Sequence, residues 1–335
     1  MTTAAELASY ASSFPSFRNR IINGDMRIDQ RNAGASVTCD GTNKFVTDRF
    51  YGFSNVGTTT SQQSTTAPTG FNNSLLVTQS TGGSVVSSSY LALNHRIEGF
   101  NFADLGWGSA SAKTITLSFW VRSSITGTFS VAFINSAANR SYVTNYSISA
   151  ADTWEQKTIT IAGDTDISVT WVTNNGIGVS IVWNLGYGSN YTTSTLDAWA
   201  ASAKYGSTTT TTSFASTTGA TFYITGVQLE VGTVATSFEH RPISVELSLA
   251  QRYYAFFRAG GGMYWSNGNV LTTVSYPVEM RDTPQSVTVK SVITEYPVSS
   301  TWIAARITKQ GFEIQRSAST SFNYVVADWA ANAEI

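Results

Sequence analysis

An all-β architecture is predicted for this chain by three observations. Charged residues make up only 12% of it, about half of the roughly 25% usual in soluble domains, so its polar surface must be built from hydroxyls and amides. Thr, Val, Ile and aromatic side chains, which suit pleated strands, outweigh the strong helix formers Glu, Lys and Arg. Short alternating runs bounded by Gly, Asn and Asp recur with no long helical stretch between them. Together these predict a jelly-roll β-sandwich followed by a smaller C-terminal β-domain, with a short N-terminal helix and a short linking helix. A length of 335 residues is enough for two separate cores.

Residues 1–17 form the N-terminal segment, in which Thr2 or Thr3 caps a helix running to about Ser12, with Leu7, Tyr10 and Ala11 on one side and Pro15 ending it. So short a helix needs something to pack on, either its own domain or copies of itself. Residues 18–240 carry about ten strand-like runs, among them NRIINGDMRI, KFVTDRFYGF, SVVSSSYLAL, GVSIVWNLGYG and TFYITGVQLEV. In KTITLSFWVRS, Ile115, Leu117, Phe119 and Val121 share one face while Thr114, Thr116, Ser118 and Trp120 share the other, so one side faces a core.

After FYITGVQLEVG an irregular TVATSFEHRP leads into ELSLAQRYY, where Glu246, Leu249 and Tyr253 fall at helical spacing. This is the linking helix, and residues 241–335 continue it into a second set of strands, with Pro277, Pro284 and Pro297 at strand ends or turns. The low charge of that helix makes Leu249, Tyr253 and Tyr254 the candidates for contact between three chains near an axis. No period of twenty to fifty residues recurs, which excludes solenoids and propellers.

A net charge of −1 supplies no basic surface for nucleic acid or an anionic membrane, and removes the self-repulsion that keeps monomers apart. Cys39 is the single cysteine, which excludes an intrachain disulfide and a cysteine zinc cluster. The opening MTTAAELASYASSFPSF has neither a basic stretch nor a long apolar one, and no uncharged apolar run nears twenty residues. Neither secretion by a leader peptide nor membrane insertion is expected.

For catalysis, His95 and His240 are the only histidines, and neither adjoins a Gly-x-Ser-x-Gly elbow. Asp152, Asp164, Asp166 and Asp197 could serve as paired carboxylates for glycoside cleavage, but aspartates near turns commonly bond their own backbone. No catalytic residue is assigned. The segment from Leu185 to Phe214 is too long for a passive connector. It places Tyr187, Tyr191, Trp199 and Tyr205 among Gly, Ser and Thr, and such rings stack on the C–H faces of sugars while hydroxyls and Asn190 meet the sugar hydroxyls. The competing reading is that these rings pack against the sandwich or a neighbouring chain. The run GGGMYWSNG adds Tyr264 and Trp265 as a second pair that a hairpin tip would expose.

Four islands carry a resemblance to a known family. They are RNRIINGDMRIDQRNAGAS with TDRF; KTITLSFWVRSSITGTFSVAF with RSYVTNYSI and TWEQKTITIAGDT; LGYGSNYTTSTLDAW with TFYITGVQLEVG and FEHRP; and QRYY, SYPVEMRDTP and NYVVADWAANAEI. In this order they resemble tail-fibre and related appendage proteins of tailed bacteriophages, cyanophages among them. The resemblance implies a virion protein made in the host cytoplasm, a homotrimer that contacts other virion proteins of tail or capsid and whose jelly roll is similar to carbohydrate-binding modules. It also implies a structural calcium between the first and last strands, held by Asp25 and Glu230, whose oxygens suit that ion. The expected function is host-cell adsorption as a short tail fibre that binds surface polysaccharide without cleaving it. A capsid decoration or cement protein is the alternative, and a glycan depolymerase the third.

Overall fold

Residues 17–210, 213–264, 268–296, 302–318 and 322–335 are described by a computed structural model of the chain. The first unit opens with β1 (Val37–Cys39), β2 (Lys44–Thr47), β3 (Phe50–Ser54), β4 (Thr58–Ser64), β5 (Ser74–Thr81) and β6 (Leu91–Glu98). It continues through β7 (Ile115–Ser123), β8 (Gly127–Asn135), β9 (Ser141–Ile148), β10 (Glu155–Ile161) and β11 (Ile177–Asn184). A long excursion then carries β12 (Thr192–Thr193), β13 (Trp199–Ala200) and β14 (Gly206–Ser207) before β15 (Ala220–Val231).

Two antiparallel sheets result, one of six strands in the order β1-β4-β5-β15-β7-β10 and one of seven in the order β13-β9-β8-β11-β6-β3-β2. The chain crosses between them repeatedly, from β3 to β4, β5 to β6, β7 to β8, β9 to β10 and β10 to β11, which is the winding of a jelly roll. Strand alternation fills the space between. Ile115, Leu117, Phe119 and Val121 of β7 bury the face anticipated for them, opposite Phe129, Val131 and Phe133 of β8 and Ile181 and Trp183 of β11. Each such side chain contributes about 1.5–3 kcal/mol by leaving water. In β15 a bulge separates Thr225 from Gln228, and Gly226 there takes φ +60, where a side chain would strike Phe71 and Trp120.

The expected first strand, NRIINGDMRI, is irregular instead. Of its amides, only that of Arg20 donates to a neighbouring strand among the described residues, to the Leu229 carbonyl of β15 at 2.9 Å, while those of Asn19, Ile21, Asn23 and Ile28 donate to side chains. Asn19 accepts from the Leu229 amide at 3.0 Å and donates to the Val227 carbonyl at 3.0 Å. Asn23, at φ +60, accepts from the Ile28 amide and donates to the carbonyls of Ile28 and Asp48.

The second unit begins with helix α1 (Ile243–Gln251) and holds β16 (Tyr254–Tyr264), β17 (Gly268–Ser275), β18 (Ser286–Tyr296), β19 (Ile303–Ala305), β20 (Gly311–Ala318) and β21 (Phe322–Asn332). These pair as β16-β21-β18 and β17-β20-β19, and Met280, Phe312, Ile314, Val325 and Trp329 fill the space between the two small sheets. Helix α1 lacks a side-chain cap and is held by packing. Ala250 and Tyr253 bury against Ile22 and Ile28, while buried Glu246 accepts from the Asn23 amide and from Arg241.

Acids bind the two units together. Glu98 accepts from Arg252 at 2.8 and 3.1 Å and from the Tyr253 hydroxyl at 2.6 Å. Glu334 accepts from Arg49 and, at 3.0 Å, from Arg31. The Arg49 guanidinium lies 3.6 Å from the Tyr253 ring centre, and that of Arg31 lies 3.6 Å from the centre of Tyr254. Tyr253 and Tyr254, expected at a trimer axis, are therefore buried inside the chain, at 0% and 5% exposure. The reason is that QRYY lies where sandwich and C-terminal unit meet, so its rings serve the intrachain joint. Leu249, the third residue of that set, is half-buried and lines a shallow groove with Phe17, Phe100 and Arg241. The N-terminal helix expected before Phe17 lies outside the described residues.

Candidate binding cleft on the seven-stranded sheet

The outer face of the seven-stranded sheet is not the hydroxyl surface that simple alternation predicts. Its register places Tyr51 beside Asn94, Asn94 beside Val182, and Val182 beside Ala132 across four strands. A parallel row sets Arg96 beside Ser180 and Ser180 beside Ile134. Small side chains at Ala92, Ala132 and Ser180 keep this floor low, and Tyr51 and Tyr187 close it. A cleft of about 310 Å³ results, within the range of small-ligand sites.

Its wall comes from the long excursion after β11. The Gly188 amide donates to the Ser89 carbonyl at 2.8 Å and the Asn190 amide to that of Ser87 at 3.1 Å, fastening the loop beside β6. A side chain at Gly188 would collide with the Val86 carbonyl, so this close approach requires glycine. The Tyr205 amide then donates to the Tyr191 carbonyl at 2.8 Å, drawing the two ends of the loop together. Tyr187 and Tyr205 stack at 5.7 Å with 25° between their planes, and Tyr191 stands edge-on to both at 5.7 and 6.1 Å. Tyr90 meets Tyr191 at 6.2 Å and Phe53 at 4.9 Å, extending the aromatic rim. Tyr187 and Tyr51 are buried, whereas Phe53, Tyr90, Tyr191 and Tyr205 are half-buried with ring surface left to solvent.

Two polar groups on this floor are buried without protein partners. Asn94 is 3% exposed and its Nδ2 has no hydrogen-bond acceptor, and Tyr187, 9% exposed, has none for its hydroxyl. Such buried groups are costly unless something supplies a partner. Burial pushes the Tyr51 phenol up to about 12 and raises that of Tyr187 well above its usual value, so both are neutral O–H groups at ordinary pH. Arg96 stands 4.8 Å from the centre of the Tyr51 ring and donates to the main-chain oxygen of Ile335 at 2.7 Å. No residue lining the cleft is a carboxylate.

Three of the loop tyrosines singled out from the sequence, Tyr187, Tyr191 and Tyr205, thus come together. Trp199 and Asn190 do not join them. Trp199 packs on Trp107 at 4.9 Å, Tyr142 at 5.3 Å and Trp171 at 5.4 Å, and its indole N–H donates to the Ala162 carbonyl at 2.8 Å. It pins β13 to the sandwich edge. Asn190 is exposed, and its carbonyl accepts from Lys204 at 2.9 Å. Trp265 and the side chain of Tyr264 lie outside the described residues. Tyr51, Phe53, Tyr90, Asn94 and Arg96 are additions to the site that the sequence reading missed.

The calcium donors do not assemble. Asp25 pairs with Arg27, while Glu230 accepts from the Thr236 amide at 2.8 Å, the Thr236 hydroxyl at 2.7 Å and Gln228 at 2.9 Å. Among the described residues no three His, Cys, Asp or Glu side chains gather as a metal set. The aspartates weighed for glycoside cleavage are likewise engaged. Asp164 takes both arms of Arg140 and the Trp171 indole, Asp166 the Ser168 hydroxyl, Asp152 Arg122, and Asp197 the Thr144 hydroxyl. His95 lies inside the sandwich 4.6 Å from Phe50, where burial lowers its pKa well below the usual value. His240 rests between Phe71 and Phe238 at 5.4 and 4.9 Å.

No protein-family model and no curated protein sequence matches the chain. Among solved structures it is similar to the enzymatically active domain of tailspike protein 4 of bacteriophage CBA120, at 14% identity and a TM-score of 0.34, covering 64% of this chain and 22% of that one. The chain thus spans about a fifth of that tailspike domain. A putative sugar-binding protein from Bacteroides thetaiotaomicron matches at 15% identity and a TM-score of 0.37, over 64% of this chain and 100% of its own. The xylan-binding CBM22-2 domain of Paenibacillus barcinonensis Xyn10C matches at 15% identity and a TM-score of 0.30, over 54% and 91%.

Proposed function

We propose that the cleft on the seven-stranded sheet binds a glycan without cleaving it, and that the protein does so as a homotrimeric short tail fibre of a phage virion during adsorption to its host. The observation that carries the binding reading is the pairing of half-exposed rings on the rim with unpartnered donors on the floor. Tyr90, Tyr191 and Tyr205 offer faces for sugar C–H groups, and Asn94 Nδ2 and the Tyr187 hydroxyl await the acceptors that sugar oxygens supply. The lining among the described residues holds no pair of acids of the kind most glycoside hydrolases place across the scissile bond. The virion assignment rests on the four sequence islands. Trimers would offset weak single contacts by raising the effective concentration of further sites.

Replacing Tyr191 with Ala tests the binding reading. The expected outcome is a melting temperature close to that of the parent protein and glycan or host-cell binding weaker by about tenfold. Undiminished binding by folded Tyr191→Ala and Tyr90→Ala proteins would remove the cleft from consideration. Immunogold labelling of virions tests the location, since label on the capsid would replace the fibre assignment with a decoration role.

A further inference from the structure

Helix α1 turns an uncharged face to solvent. Its one charged residue, Glu246, points inward to the Asn23 amide and Arg241, while Ser244 and Ser248, and Val245 and Leu249, each one turn apart, line a shallow outer groove. Exposed helix faces ordinarily carry charge, so this one is built like a covered surface. A second groove of about 240 Å³ adjoins it through Leu249, with Phe17, Ile22 and Phe100 along its walls. Phe17 is 50% and Phe100 61% exposed, and rings so open beside an uncharged helix face make one apolar patch. The described chain begins at this patch. The Phe17 ring centre lies 4.8 Å from the Arg241 guanidinium, and Glu239 accepts from the amides of Arg18 at 3.2 Å and Asn19 at 3.0 Å, which fixes where the preceding residues arrive.

We infer that residues 1–16 of the same chain dock on this patch through Leu7, Tyr10, Ala11 and Phe14. These four fall at offsets of three, four and seven, the spacing of one helix side, and Glu6 is the only charged side chain of the segment. An apolar stripe of low charge thus meets a groove of the same character. Its reach is sufficient, since Phe14 is three residues from Phe17, a span of up to about 10 Å. In helical form Leu7 to Phe14 covers about 10 Å, close to the roughly 13 Å of the nine-residue α1. Ser244 and Ser248 leave room for a close neighbour along α1. So short a helix is not stable alone in water, and the patch supplies the surface it lacks. Because Ile22 and Phe100 belong to the sandwich and Leu249 to the second unit, the docked segment fastens both.

Hydrogen–deuterium exchange on the whole protein is the first test. Amides between residues 3 and 14 should exchange at least about tenfold more slowly than in a free peptide of the same sequence, and Leu249→Asp should remove that protection while leaving the sandwich strands as they were. Exchange as fast as in the free peptide overturns the inference, and so does protection that survives Leu249→Asp. Cysteine pairing identifies the occupant and stands even where Leu249→Asp fails to fold. In a Cys39→Ser background, Ala11→Cys is combined with Ser244→Cys or with Ser248→Cys and the protein is mildly oxidised. A bond closing within one chain in at least one pair, seen as a single-chain band without reductant and as a linked peptide by mass spectrometry, is the expected result, because docking brings these positions within disulfide reach. Bonds that join two chains would assign the patch to a second copy, and no bond in either pair would place the segment elsewhere. Either result overturns the inference.

Discussion

The joint between the two β-units and the cleft on the seven-stranded sheet are built from the same materials, tyrosine, arginine and asparagine or glutamine, yet their polar atoms meet different fates. In the joint, Arg252 reaches Glu98 while Arg31 and Arg49 reach Glu334, and the Tyr253 hydroxyl donates to Glu98 at 2.6 Å. In the cleft, Arg96 reaches the main-chain oxygen of Ile335, and among the described residues the Tyr187 hydroxyl and Asn94 Nδ2 have no partner. The difference teaches that residue type does not separate a structural cluster from a binding one. What separates them is whether each arginine and tyrosine hydroxyl meets a side-chain acid, as Arg252, Arg31, Arg49 and Tyr253 do in the joint.

The largest expected effect breaks the matched side of this comparison. Glu98→Ala removes the acid from Arg252 and from the buried Tyr253 hydroxyl, and one-sided removal of a buried pair costs about 3–5 kcal/mol. Urea unfolding followed by tryptophan fluorescence should show a loss of that order. A loss below about 1 kcal/mol would mean that the acid-centred joint contributes no more than a surface ion pair does.

A smaller effect separates two aromatic residues that lie on one excursion. Trp199 packs against Trp107, Tyr142 and Trp171 and bonds the Ala162 carbonyl, so Trp199→Ala should destabilise the sandwich by about 2–4 kcal/mol. Glycan affinity measured well below the melting temperature should stay as it was. Tyr191→Ala should do the reverse. If Trp199→Ala instead lowers affinity and leaves the melting temperature alone, the cleft extends to the sandwich edge and the boundary drawn here is wrong.

How much of this was legible in the sequence follows from the range of each signal. The buried face of KTITLSFWVRS is local, carried by a period of two, and it is recovered residue for residue. Tyr187, Tyr191 and Tyr205 were legible because a long Gly, Ser and Thr loop with amphipathic rings is a local pattern too. Trp199 has the same pattern and a different fate, since only the fold decides that Trp107 and Trp171 stand beside it. The floor escaped notice because strand alternation in a sandwich predicts one apolar face and one polar face. Phe50 followed by Tyr51, with Phe53 beyond, and the run from Leu91 to Leu93 mark strands with apolar groups on both faces, and that was the signal available. The joint is invisible at short range, because Glu98 and Glu334 lie far along the chain from Arg252 and Arg49. NRIINGDMRI reads as a strand by composition, yet Asn19 and Asn23 replace a strand partner with their own amide groups.

The remaining prediction sets the two regions apart by pH. Asp48 is fully buried beside the joint, where it accepts from both nitrogens of Gln30 and feels Arg31 and Glu334, and burial pushes its carboxyl up to about 7. The unfolded chain holds the same carboxyl near 3.9, so the folded state binds this proton more tightly. The contribution to stability is therefore complete below about pH 4 and is lost as pH rises through about 7. Glu246, also raised by burial, acts with the same sign. Asp48→Asn keeps the side chain's size and one acceptor without an ionisable proton, so, whatever its starting value, its melting temperature should gain on that of the parent protein from pH 5 to pH 8. Parallel curves across that window would show that Asp48 does not carry the proton. The cleft should not follow the joint, because burial raises the Tyr51 and Tyr187 phenols above their usual range and no lining residue is a carboxylate or histidine. Glycan affinity is thus expected to stay flat from pH 5 to pH 8 while joint stability declines, and affinity that declined in step would mean that the two regions share a titrating group.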